Sequence, residues 1–150
     1  MASKYIDSTA TMQVIGCVFN NPQLLDITDK YSIIDEDFSD SFHKIVFGAI
    51  YKLHELGANR ISLANIADFL ADRPKSEAVY KQNKGEEWLT RIADNAMSST
   101  FDYYYGRLKK FSLLRALNCL FKYLKAVSVL RYQVSPKNFL VSTAVSHIGL

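Results

Sequence analysis

The sequence predicts an all-α protein, built as a compact helical head over residues 1–98 followed by a long C-terminal helical hairpin over residues 99–150. Three observations carry this. Apolar residues recur at helical spacing along almost the whole chain. No segment alternates with period two beside an Asn-Gly or Asp-Gly turn. From Phe101 to about Arg131 there is no proline and a single glycine, Gly106, which makes this stretch the longest helix of the chain.

The elements follow in order. A first helix over about residues 9–20 takes Ser8 or Thr9 as cap, buries Met12, Ile15, Cys17, Val18 and Phe19, and stops at Asn20-Asn21-Pro22. Asn21 as cap and Pro22 at the first position start a short helix through Leu24, Leu25 and Ile27, because proline there gives up an amide that has no partner anyway. The acidic run Asp35-Glu36-Asp37 reads as a solvated turn ahead of the next helix rather than a metal site, since no further spaced ligands accompany it. That helix, about Ser41 to Leu56, buries Phe42, Ile45, Val46, Ala49, Ile50 and Leu53 and ends at Gly57, which suits a left-handed cap. Ser62 caps a helix through Leu63, Ile66, Phe69 and Leu70. Residues 73–85 are polar and read as a loop with at most a helical turn at Ala78-Val79-Tyr80. Glu86 to Met97 is helical again, with Trp88, Leu89, Ile92, Ala93 and Ala96 inward, and Ser98-Ser99-Thr100 punctuates the chain before the long helix.

In that helix Leu113, Leu117, Leu120, Leu124 and Val127 follow one another at steps of four and three and form one stripe, with Arg107, Arg115, Lys122 and Lys125 on the opposite side. A break at Tyr132-Gln133-Val134, with Ser135 as cap and Pro136 at the first position, opens a second arm that carries Leu140, Val141, Ala144, Val145 and Ile148 on one face. The second arm is too short to cover the stripe, so the apolar face of Leu113, Leu117, Leu120, Leu124, Val127, Leu140 and Ala144 is expected to be an interface with a second copy.

Composition fits an ordinary globular domain, at 49% hydrophobic and 22% charged. Cys17 and Cys119 both sit in apolar helical patterns and read as buried thiols of a reducing compartment, with the cytoplasm as default. No run of about 18 apolar residues is present and the start lacks a signal peptide's apolar stretch, so neither membrane nor export is expected. Charge is segregated: residues 1–98 hold 10 Lys+Arg against 14 Asp+Glu, a net of −4, and residues 99–150 hold 8 against 1, a net of +7. Arg107, Lys109, Lys110, Lys122 and Lys125 are therefore candidates to meet nucleic acid or an acidic partner, and equally a solvated helix face. Tyr103-Tyr104-Tyr105 could stack bases beside them, although three successive residues cannot share one helix face.

Catalytic chemistry is missing. His43, His54 and His147 are far apart, and no H-E-x-x-H or C-x-x-C occurs, so His43 and His54 read as packing or surface residues. Nor is there a phosphate loop, a dinucleotide fingerprint or a nucleophile elbow. No cofactor is expected for the chain, and no ATP hydrolysis.

One succession of motifs is more specific. Gln13-Val14-Ile15-Gly16 precedes Asn21-Pro22 and Leu25; Asp37-Phe38, His43, Phe47, Ala49-Ile50, Leu53 and Gly57 follow; then come Ser62-Leu63, Leu70, Trp88-Leu89, Ala93, Tyr104, Leu108, Leu113-Leu114-Arg115 and Leu117. In order and spacing this resembles the N-terminal domain of bacterial and phage replicative helicases of the DnaB type, over about residues 11–120. The resemblance implies a non-catalytic domain that pairs through its hairpins, gathers six copies into a ring, and docks primase or a helicase loader. The basic half is expected to give DNA contact that is weak or indirect, since little base-reading machinery is visible. The resemblance also implies that Tyr104 and Arg115 are structural, tying the hairpin to the head or to a neighbouring subunit, and that ATP and Mg belong to a motor in a full-length parent. Gly106 and the polar 73–85 segment depart from the family pattern. So does the stop at Leu150, inside an apolar pattern and before any linker or P-loop, from which a fragment is expected rather than a stand-alone relative. Two other readings remain at this point: the helicase-binding C-terminal domain of a DnaG-type primase, and a small basic DNA-binding helical protein.

Overall fold

A computed structural model describes residues 5–133, and every described element is helical. Six α-helices lie among the described residues: α1 (Ser8–Asn20), α2 (Ser41–Glu55), α3 (Leu63–Ala71), α4 (Pro74–Gln82), α5 (Gly85–Asn95) and α6 (Phe101–Gln133), with single 3-10 turns at Pro22–Asp26, Asp35–Asp37 and Ser98–Thr100. The chain divides into two compact units, residues 1–114 and 115–150. The expected second arm, with Leu140 and Ala144, lies outside the described residues.

In the first unit α1 runs through the core: Ala10, Val14, Ile15 and Val18 are fully buried. Its cap is Asp7, one residue before the expected Ser8 or Thr9, and the Asp7 carboxylate accepts from the Ala10 amide at 2.9 Å. The next turn begins at Pro22 as expected, but Asn21 makes no side-chain cap bond. The same core holds Phe38, Phe42, Val46, Phe47 and Ile50 before and within α2, Ile66 and Leu70 of α3, Tyr80 of α4, and Leu89 and Ile92 of α5. Asp40 caps α2 through the Phe42 amide at 2.8 Å. Gly57, just past its end, has φ +95°, the left-handed conformation that glycine adopts without steric cost. Ser62 caps α3 and exchanges bonds with Asn65, a capping box.

The segment read as a loop over 73–85 is instead α4. Its signals are local rather than periodic: Pro74 stands in the first turn, Glu77 and Lys81 pair at 2.5 Å across one turn, and a single buried side chain, Tyr80, anchors it. One buried contact leaves almost no hydrophobic periodicity to read. Burial, joined by the charge of Glu86, pushes the Tyr80 phenol up to about 12. Cys17 is buried as expected, and burial pushes its thiol up, whereas Cys119 is exposed. A thiol in a helical pattern is buried only where a partner element covers that face.

Helix α1 packs most extensively on α5, and Gly16 sets the approach. A Cβ built at Gly16 would stand 2.7 Å from the Ile92 carbonyl oxygen and 2.9 Å from the Ala96 methyl. At this separation α1 side chains reach carbonyls at the end of α5: Asn20 Nδ2 donates to Ala93, which also accepts from the Ala96 amide, at 2.8 Å, and Gln13 Nε2 donates to Asn95 at 3.0 Å. Gln13 Oε1 in turn accepts from the Met97 amide at 3.1 Å. Gly16→Ala should therefore destabilise the fold by about 1–3 kcal/mol through overpacking, more than the roughly 1 kcal/mol that alanine gains over glycine inside a helix. Urea unfolding measures it; a stabilised variant would show that the helices can separate freely.

Candidate functional site

The functional features gather on α6. Its first turns present a two-sided inner face. Phe101 and Leu108 are buried with Tyr105 half-buried between them, and Asp102 and Lys109 flank them about two turns apart. This face meets residues 30–37. Tyr31 stands edge-on to Phe101, at 4.9 Å between ring centroids, and to Tyr105 at 5.1 Å. Asp102 accepts from Lys30 at 2.8 Å and from the Tyr31 hydroxyl, and the Ser32 amide donates to the Tyr105 hydroxyl at 3.0 Å. These partners hold the Asp102 carboxyl below its ordinary range, the lysine bond first.

Asp37 is the centre of this contact. Its side chain is 1% exposed and accepts from Lys109 Nζ at 2.9 and 2.8 Å and from the Ile34 amide at 3.0 Å, while Lys109 also donates to the Ser32 carbonyl at 2.8 Å. The acidic run is thus not a wholly solvated turn. A cation 72 residues away draws one carboxylate inside, a pairing that local charge pattern does not reveal. A second pair, Arg107 to Asp7 at 2.5 Å, joins α6 to the start of α1. Arg107 and Lys109, considered for phosphate or acidic-partner contact, are therefore engaged within the first unit. Lys110, Lys122 and Lys125 are exposed.

Tyr104 is half-buried against the core and Arg115 is half-buried. Tyr103 is exposed and Tyr105 turns inward, so the three tyrosines do not form one stacking surface. Of the expected interface residues, Leu113, Leu117, Leu120 and Leu124 are 60, 42, 52 and 54% exposed and Val127 is half-buried. Helix α6 continues unbroken through Gly106. His43 packs against Phe42 and Trp88, and burial pushes its imidazole below 6.5, with the Asp40 charge opposing. His54 is largely covered, its Nε2 2.7 Å from Asp26. No group of three or more metal-ligating side chains exists among the described residues. None of the described helices is long and apolar enough to cross a membrane.

This set of helices has a family. The model of the DnaB-like helicase N-terminal domain matches residues 4–110, and the chain belongs to that family, a non-catalytic domain of replicative helicases. The SPbeta prophage-derived protein YorI of Bacillus subtilis (strain 168) is 37% identical over 114 residues, covering 76% of this chain. The chain spans 23% of that relative's length.

The Asp7 pair gives the anchor a pH dependence. Burial raises the Asp7 carboxyl, but the Ala10 amide and the Arg107 guanidinium outweigh it and hold the group below 3.8. A carboxyl depressed in the folded state adds stability above its unfolded pKa and loses it as pH falls through the folded value. Acid unfolding should therefore steepen below about pH 4. Arg107→Met should lower stability modestly at neutral pH, since the guanidinium is largely in water, and should flatten that acid limb. Denaturant titrations from pH 7 to 3 test both; an unchanged acid limb would contradict the pairing.

Proposed function

We propose that this chain is the subunit-assembly and protein-docking domain of a replicative helicase-type protein, supporting ring formation and contact with primase or a helicase loader during DNA replication. The observation that carries it is the exposed leucine face of α6 in a member of this family. Leu117, Leu120 and Leu124 recur at helical spacing and stay largely open to solvent, an apolar surface that soluble monomers rarely leave uncovered. A second copy presenting the same face across a two-fold axis covers it most simply.

Partner docking has its own support in the first unit. An open groove of about 580 Å³ runs between Ile33–Glu36, α2 and α3, with Ile45, Tyr51 and Phe69 among its apolar walls. It suits apolar side chains of a primase or loader segment. The chain itself would bind neither ATP nor Mg; those belong to the motor of a longer parent, and the setting is the cytoplasm of a bacterium or phage-infected cell. The family match favours this reading over the primase helicase-binding domain.

The test is Leu117→Glu with Leu124→Glu, followed by light scattering and circular dichroism. Lower mass with helicity retained is the expected result. A parent chain already monomeric at roughly 100 μM, far above the micromolar range of modest interfaces, would remove the basis of the reading.

A further inference from the structure

The second unit carries another surface beside its leucines. At 100° per residue Asn118, Phe121, Lys122 and Lys125 fall on one side of α6, centred about 120° from the Leu117, Leu120, Leu124 face. Phe121 is 71% exposed, with Asn118 one turn before it and Lys125 one turn after. Both lysines are exposed, and neither has an ion-pair partner among the described residues. The sequence leaves them none nearby: from Tyr103 to Leu150 there is no aspartate or glutamate, against eight lysines and arginines. Arg107 and Lys109 are neutralised by carboxylates from elsewhere in the fold, and Lys122 and Lys125 are not.

We propose that this strip of α6 binds single-stranded DNA, with Phe121 stacking on a base, Lys122 and Lys125 meeting flanking phosphates, and Asn118 hydrogen-bonding the strand. The chemistry is that of sequence-tolerant strand binding, an aromatic platform set between cations. A duplex keeps its base faces covered and offers Phe121 nothing to stack on. This goes beyond the assembly reading: the strip is centred about 120° from the leucine face, although Phe121 borders that face, four residues from Leu117 and three from Leu124, so association is read beside DNA affinity.

The test uses the full chain and a fluorescent oligo(dT) longer than the roughly 4–16 nucleotides that small strand-binding modules cover, with abasic and duplex strands of equal length. Anisotropy is read at about 50 and about 200 mM salt. Two phosphate contacts on a single strand give a logarithmic slope near −1.4, an affinity loss of about sevenfold over that range. Phe121→Ala should weaken oligo(dT) binding about 5- to 100-fold and leave abasic binding unchanged. Lys122→Ser with Lys125→Ser should flatten the salt dependence. Dichroism confirms that each variant is folded, and light scattering that its association state is that of the parent. Equal affinity for abasic, duplex and oligo(dT) strands would overturn the proposal, as would a Phe121→Ala variant that changes mass but not DNA affinity.

Discussion

The buried contact between Lys109 and Asp37 constrains the rest of the first unit. A carboxylate that is 1% exposed cannot leave its oxygens without partners, and Lys109 together with the Ile34 amide supplies them. The lysine reaches it from the third turn of α6, so the pair fixes both the rotation and the axial position of those turns against residues 30–37. Tyr31, Phe101 and Tyr105 then meet edge to face, and Leu108 enters the core. Apolar contacts alone would allow a shifted register, because one ring can replace another; an ion pair with three defined acceptors around one ammonium does not.

The same helix serves two ends. Its first turns are committed inside the first unit, whereas from Arg115 onward most of its side chains are exposed, leucines among them. An element held so firmly at one end and so apolar at the other is suited to hold a domain while meeting a second copy, and the family to which the chain belongs is consistent with that use. Catalytic groups are not needed for such work. The stabilising chemistry of the described residues is packing, caps and ion pairs.

Helix periodicity made most of the fold legible. α1, α2, α3, α5 and α6 each have several buried side chains or a long unbroken run, and Ser62 and Gly57 announced their boundaries. Helix α4 was hidden because Tyr80 is its one fully buried side chain. The anchor of α6 was hidden for a different reason. Asp37 sits in an acidic run that resembles any solvated turn, and its partner is 72 residues away, so only the fold brings the charges together. The leucine spacing on α6 was legible, and Leu113, Leu117, Leu120 and Leu124 are exposed.

A double-mutant cycle on Asp37 and Lys109 probes the central claim most directly. Lys109→Met leaves a buried carboxylate without its cation and should cost about 3 kcal/mol, read by urea unfolding at neutral pH. Asp37→Asn should cost a comparable amount, and the double variant should cost much less than the sum, because removing both charges leaves neither stranded. Single-variant costs below about 0.5 kcal/mol, or strictly additive losses, would place the pair among ordinary surface ion pairs and contradict the account.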